Sequence, residues 1–87
     1  MGLYKIEWAL SAKKELRKIN KQDILKIINQ VEKLSINPYP HNHIKYIGAD
    51  YTYRIRVGNY RVIYSVYQEK LTVKIVKVGH RQNVYKK

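Results

Sequence analysis

The sequence predicts an α+β domain of order β-α-α-β-β-β, with an N-terminal helical hairpin packed on a small, twisted, mainly antiparallel sheet. Two observations carry this. Between residues 8 and 34, apolar side chains recur at three- and four-residue spacing, the period of one helix face. Between residues 51 and 78 the chain is β-rich, alternating over Tyr51 to Val57, and turn residues at Gly58-Asn59 and Gln68-Glu69-Lys70 divide it into strands. Helices followed by strands place the helices together on one face of the sheet.

Leu3 to Trp8 alternates, with Tyr4, Ile6 and Trp8 on one side, and reads as a first strand. Trp8, Ala12, Leu16 and Ile19 then fall at helical spacing, with Lys13, Lys14, Arg17 and Lys18 outside. Asn20 is expected to stop this helix and Asp23 to cap the next. Ile24, Ile27, Ile28, Val31 and Leu34 form the apolar stripe of the second helix, and the short link predicts an antiparallel pair. Ser35 to Asn42 contains Asn-Pro-Tyr-Pro and is a loop. Ile44 to Ile47 is a short strand or an extended lead-in, and Gly48-Ala49-Asp50 turns the chain. Tyr51 to Val57 alternates and is bounded by Gly58-Asn59, a two-residue hairpin signal, and Tyr60 to Tyr67 returns. Gln68-Glu69-Lys70 is the next turn, Leu71 to Val78 the last strand, and Gly79 is expected to end it ahead of a tail from His80 to Lys87. With no repeat or linker, residues 1–87 read as one domain.

Composition narrows the function. Hydrophobic residues make up 45% of the chain, enough for a packed core rather than disorder. Cysteine is absent, which excludes disulfides and thiolate metal sites. His41 and His43 sit in a Pro-flanked loop without acidic or Cys partners at ligand spacing, so neither a metal nor another cofactor is expected. No long apolar run or signal-peptide pattern occurs, so no membrane association is expected and the cytoplasm is the expected location. Eighteen Lys and Arg against six Asp and Glu leave a net charge of +12, which calls for a polyanionic partner. Nucleic acid comes first, because neutralising phosphates releases condensed counterions. Thirteen of the cations are Lys and five are Arg, yet Arg54, Arg56, Arg61 and Arg81 all fall in the second half. Arginine's planar fork grips phosphate bidentately.

Hairpin geometry groups three of them. A Gly58-Asn59 turn pairs Val57 with Tyr60, Arg56 with Arg61, Ile55 with Val62 and Arg54 with Ile63. Directly opposed residues share a sheet face, so Arg54, Arg56 and Arg61 lie together, while Tyr53, Ile55, Val57, Val62 and Tyr64 face the helices. Two guanidiniums ~6 Å apart repel by about 3 kcal/mol at an effective dielectric near 20. Asp50 and Glu69 are the only acids in that half, too few to neutralise the cluster. Either an external anion does so, or the arginines splay into water as a solvated face.

Two stretches resemble a known family. Tyr53 to Tyr64, with Arg54, Arg56, Gly58, Asn59 and Arg61, resembles the central hairpin of RelE-family toxins, within the RelE/ParE superfamily of type II toxin–antitoxin systems. Val78-Gly79-His80-Arg81-Gln82-Asn83-Val84-Tyr85 resembles the family's C-terminal motif of Gly, a basic residue, Arg and then Tyr. The resemblance implies an endoribonuclease that enters the ribosomal A site and cuts messenger RNA without a metal. The substrate's own 2′-hydroxyl attacks the adjacent phosphate, and a cognate acidic antitoxin silences the toxin. By resemblance, Arg54 and Arg56 hold the RNA backbone, Arg61 binds the scissile phosphate, and Arg81 stands near the leaving oxygen. Tyr85 then serves as general base or as a stacking platform.

His80 joins the catalytic candidates as a proton-transfer group, and Lys45 joins Arg54 and Arg56 as an RNA-binding candidate. Arg61 and Arg81 are expected to be exposed. Two other functions compete. A ParE-like toxin poisons DNA gyrase and cuts no RNA, and would not need the Arg54, Arg56, Arg61, Arg81 and Tyr85 set. A plain RNA-binding module would grip phosphate without cleaving it.

Overall fold

A computed structural model describes residues 3–46 and 48–80. Strand β1 (Lys5–Trp8) leads into helices α1 (Leu10–Arg17) and α2 (Lys21–Lys33). Strands β2 (Ile44–Lys45), β3 (Thr52–Val57), β4 (Tyr60–Tyr67) and β5 (Thr72–His80) follow, with a 3₁₀ turn at Gln68–Lys70. The five strands form one sheet in the order β1-β5-β4-β3-β2. β1 runs parallel to β5 and every other pair is antiparallel. The architecture is the expected α+β one, and Ile44–Lys45 forms a two-residue edge strand; Ile47, which the sequence reading also assigned there, lies outside the described residues. Among the described residues, no helix is long and apolar enough to cross a membrane.

The core lies between the helices and one face of the sheet. Ala12 of α1 and Ile27 and Val31 of α2 pack with Ile55 and Val57 of β3, Val62, Tyr64 and Val66 of β4, and Val73, Ile75 and Val78 of β5. The helical stripe and the strand alternation thus bury each other, which leaves Arg54 and Arg56 on the face away from the helices.

Two local expectations are corrected, and β5 carries an irregularity. Asn20, rather than Asp23, caps α2: its side-chain oxygen accepts from the Asp23 backbone N–H at 3.0 Å, and its amide donates to the Asp23 carboxylate at 2.9 Å. The two polar residues satisfy each other in the reciprocal manner of a capping box, so the helix starts earlier. The second correction is that Gly79 does not end β5. The strand runs on to His80, because Gly79 pairs with Arg61 and His80 with Tyr60. Finally, β5 is bulged: Ile63 pairs with Lys77 but Tyr64 with Ile75, leaving Val76 without an opposite residue. The extra residue shifts the alternation by one, so Val73, Ile75 and Val78 all reach the core.

Tyr64 ties the core to the loop before β2. Its hydroxyl donates to the Pro38 carbonyl at 2.7 Å. Burial first, and then the neighbouring Tyr53 and Tyr39, push this hydroxyl far above the usual phenol range. The sign for stability follows. Below about pH 10 the folded and unfolded chains both keep the proton, and the contribution is intact. Above it the unfolded chain ionises first, so stability falls as pH rises toward the folded-state value. Urea midpoints at about pH 9 and about pH 11 should drop more for the wild type than for Tyr64→Phe; equal drops would contradict this account.

Candidate nucleic-acid interface

The Gly58-Asn59 turn sets the site. Gly58 has φ +59° whereas Asn59 has no positive φ, the pattern of a II′ hairpin with Gly at its first central position. The register is the one expected: Arg54 opposite Ile63, Ile55 opposite Val62, Arg56 opposite Arg61 and Val57 opposite Tyr60. Arg54, Arg56 and Arg61 therefore share the sheet face opposite the helices. A cleft of about 250 Å³ opens there, lined by Asn42, Ile44, Arg54, Ile55, Arg56 and Arg61.

The arginines differ in exposure, and here the structure corrects the sequence reading. Arg56 is exposed and Arg54 half-buried, but Arg61 is buried, at 9%. Arg61 sits on β4, flanked by Arg56 of β3 and by Gly79 of β5, whereas Arg56 lies toward the edge of the sheet. Glycine places no side chain beside the guanidinium on that flank. A charge held in a cleft of restricted solvent access acts more strongly on an anion than one in bulk water.

Other cations extend the face. Register places Lys77 opposite Ile63 and Lys74 opposite Ser65, and Lys74 also pairs with Glu7 of β1. Ile63, at 4% exposure, lies between Arg54 and Lys77 in register, as expected when long cationic stems flank an apolar residue and carry their charges outward. Sequence reasoning missed Lys77 because the bulge at Val76 decides which face it occupies. Asn42 was assigned only to a loop. It reaches the cleft because the loop is pinned: the Tyr39, His43 and Tyr53 rings pack edge to face at 5.3–5.8 Å, and His43 Nδ1 lies 2.6 Å from the Pro40 carbonyl. Asn42 then donates from its amide to the Arg56 carbonyl at 3.4 Å.

Two candidates do not join the cluster. Lys45 pairs with Tyr53, which puts it on the helix side of the sheet at its edge. His80 pairs with Tyr60, also on the helix side, and the two rings meet edge to face at 5.6 Å. His80 lines a separate hollow with Glu15, Lys18, Ile19 and Tyr60. Burial first, and then the Asp23 carboxylate, raise the Tyr60 hydroxyl above its ordinary pKa. Arg81 and Tyr85 lie outside the described residues.

The arrangement is three arginines lining one cleft, with Asn42 beside them. It can bind a phosphate bidentately and hold positive charge where a pentavalent phosphorus would gather negative charge.

Comparison with known proteins shows the family and the fold. The family described as the ParE toxin of type II toxin–antitoxin system, parDE, matches residues 6–85. A Methanocaldococcus jannaschii protein named as toxin RelE1 is 33% identical over 76 residues, covering 84% of each chain. The archaeal RelE–RelB complex from Pyrococcus horikoshii superposes with a TM-score of 0.78 at 27% identity, covering 91% of this chain and 96% of that one. The chain in the intact Escherichia coli RelBE toxin–antitoxin complex superposes with a TM-score of 0.77 at 28% identity, covering 88% and 95%.

Proposed function

The chain belongs to the RelE/ParE superfamily of type II toxin–antitoxin toxins, and from that premise we propose that it is a ribosome-dependent endoribonuclease that cuts messenger RNA and stops translation. The observation that carries the proposal is the convergence of Arg54, Arg56 and Arg61 on one cleft. Arg54 and Arg56 hold the RNA backbone. Arg61 grips the scissile phosphate while the adjacent 2′-hydroxyl attacks it. The P–O5′ bond breaks, and the products are a 2′,3′-cyclic phosphate and a 5′-hydroxyl. Arg81 stabilises the leaving oxygen, which takes a proton from water to become the 5′-hydroxyl. Tyr85 takes the proton from the 2′-hydroxyl or stacks on a base; as a base it needs its pKa lowered from about 10 by neighbouring arginines. No step calls for a metal. The working location is the cytoplasm, where translating ribosomes are, and the silencing partner is an acidic antitoxin that covers the basic face.

His80 has no catalytic role in this scheme, since its strand position faces away from the cleft. Removing a general acid or base commonly costs about 100- to 10,000-fold in rate. His80→Gln is expected to stay within several-fold of wild type in cleavage of ribosome-bound message; a loss of the larger size would return the imidazole to the mechanism.

The proposal is tested in cells by primer extension on abundant messages after induction. Breaks inside codons should appear as protein synthesis stops. The ParE description of the matching family raises a second reading, poisoning of DNA gyrase. Intact messages accompanied by gyrase-linked DNA breaks would select it.

A further inference from the structure

A second hollow, of about 360 Å³, lies between α2 and the β3–β4 turn. Lys26, Asn29, Gln30, Asn42, Arg56 and Val57 line it, with Gly58 at one wall. It shares Asn42 and Arg56 with the arginine cleft, so the two hollows adjoin at these residues. Its volume is within the range of about 300–1,000 Å³ typical of clefts that take small ligands.

We propose that this hollow is a base-reading subsite, which takes the nucleotide next to the phosphate held in the arginine cleft. This rests on the RNA-cleaving reading above and names a place where sequence preference arises. The lining chemistry argues for it. Lys26, Asn29 and Gln30 stand at i, i+3 and i+4 of α2, so they form one helix face. The exposed face of α1 and the start of α2 carry mainly cations, Lys13, Lys14, Arg17, Lys18 and Lys21, with Ser11 and Gln22 beside them. At the hollow, Asn29 and Gln30 stand beside Lys26 and Asn42 supplies a third amide.

An amide offers both a donor and an acceptor and can match the edge of a base, which an ammonium cannot. Asn42 already donates to the Arg56 carbonyl, so its oxygen remains to accept from a base N–H. Val57 gives an apolar surface beneath, and Lys26 and Arg56 supply charge for the flanking phosphates. RNA sequence is read on unstacked bases, by contacts of this mixed kind. An acidic peptide would be better served by more cations and fewer amides, because carboxylates only accept.

The test is a titration of the isotope-labelled full chain with 2′-O-methyl RNA tetranucleotides of different sequence, which cannot be cleaved. The side-chain amide signals of Asn29, Gln30 and Asn42 are expected to move, by amounts that depend on the base. The Asn29→Ala/Gln30→Ala double variant should narrow the spread of affinities among sequences by about tenfold, the size of one good base contact. Lys70→Ala, at the far turn, serves as the control. Movement confined to the Arg54, Arg56 and Arg61 strands, or an unchanged spread in the double variant, overturns the subsite and leaves the nuclease standing. Amide signals that answer to an acidic peptide and to no RNA overturn it too, making the hollow a protein-docking surface. Loss of the nuclease reading itself registers separately, as wild-type protein that leaves ribosome-bound message intact.

Discussion

Replacing Arg61 with methionine is expected to slow single-turnover cleavage on programmed ribosomes by about 100- to 1000-fold, the usual cost of removing one preorganised charge from a reacting centre. Of the three clustered arginines, Arg61 is the buried one, at 9% exposure, and it lies on β4 between Arg56 and Gly79. It is therefore held in place before the substrate arrives, and its field is less screened than that of exposed Arg56. Methionine keeps an unbranched apolar stem in the same strand position, so the change removes charge and hydrogen bonds more than packing. Circular dichroism should show an unaltered fold. A folded Arg61→Met protein that cuts at the wild-type rate would take this guanidinium out of the mechanism.

Truncation of Tyr64 to alanine is expected to cost about 3–5 kcal/mol, as for other large aromatic residues in packed cores. At about 0.05–0.15 kcal/mol per residue, a domain of this size has only about 4–13 kcal/mol in all, so the variant stands near the edge of folding. The loss has three sources. The ring is fully buried among the core strands, it packs against Tyr53 with centroids 5.9 Å apart, and its hydroxyl satisfies the Pro38 carbonyl. Tyr64→Phe removes only the hydrogen bond and should cost about 1 kcal/mol. Urea unfolding separates the two variants. Similar small losses in both would mean that the ring is poorly packed and that the 38–43 loop gains nothing from it.

Most of the fold was legible because its signals are local and repeated. The helical stripe Ile24, Ile27, Ile28, Val31 and Leu34 has only one partner to choose, the apolar face of the strands. The Gly58-Asn59 turn is short enough to dictate register, and with it the grouping of Arg54, Arg56 and Arg61. What escaped depends on single residues that break a period. In β5 the core positions are Val73, Ile75 and Val78, spaced by two and then three, and that change of spacing marks the bulge at Val76. Strict alternation would set Val78 and Ile75 on opposite faces. Read with the bulge, the same stretch sends Lys77 to the arginine face and His80 to the helix side. Lys45 was misjudged for a similar reason: a two-residue edge strand has too little alternation to reveal its face. Asn42 could not be assigned from sequence, since its place depends on aromatic contacts that bring Tyr39 and His43 of its own loop onto Tyr53 of β3.

The central claim, that this chain cuts ribosome-bound RNA by internal attack of a 2′-hydroxyl, is tested most directly by purified protein, ribosomes holding a defined message, and analysis of both new ends. The expected result is one break in the A-site codon, a 2′,3′-cyclic phosphate upstream, a 5′-hydroxyl downstream, and no cleavage when the nucleotide before the break lacks its 2′-hydroxyl. Cleavage that persists on that deoxy-substituted message, or ends bearing a 5′-phosphate, would contradict the mechanism, and an intact message would contradict the function.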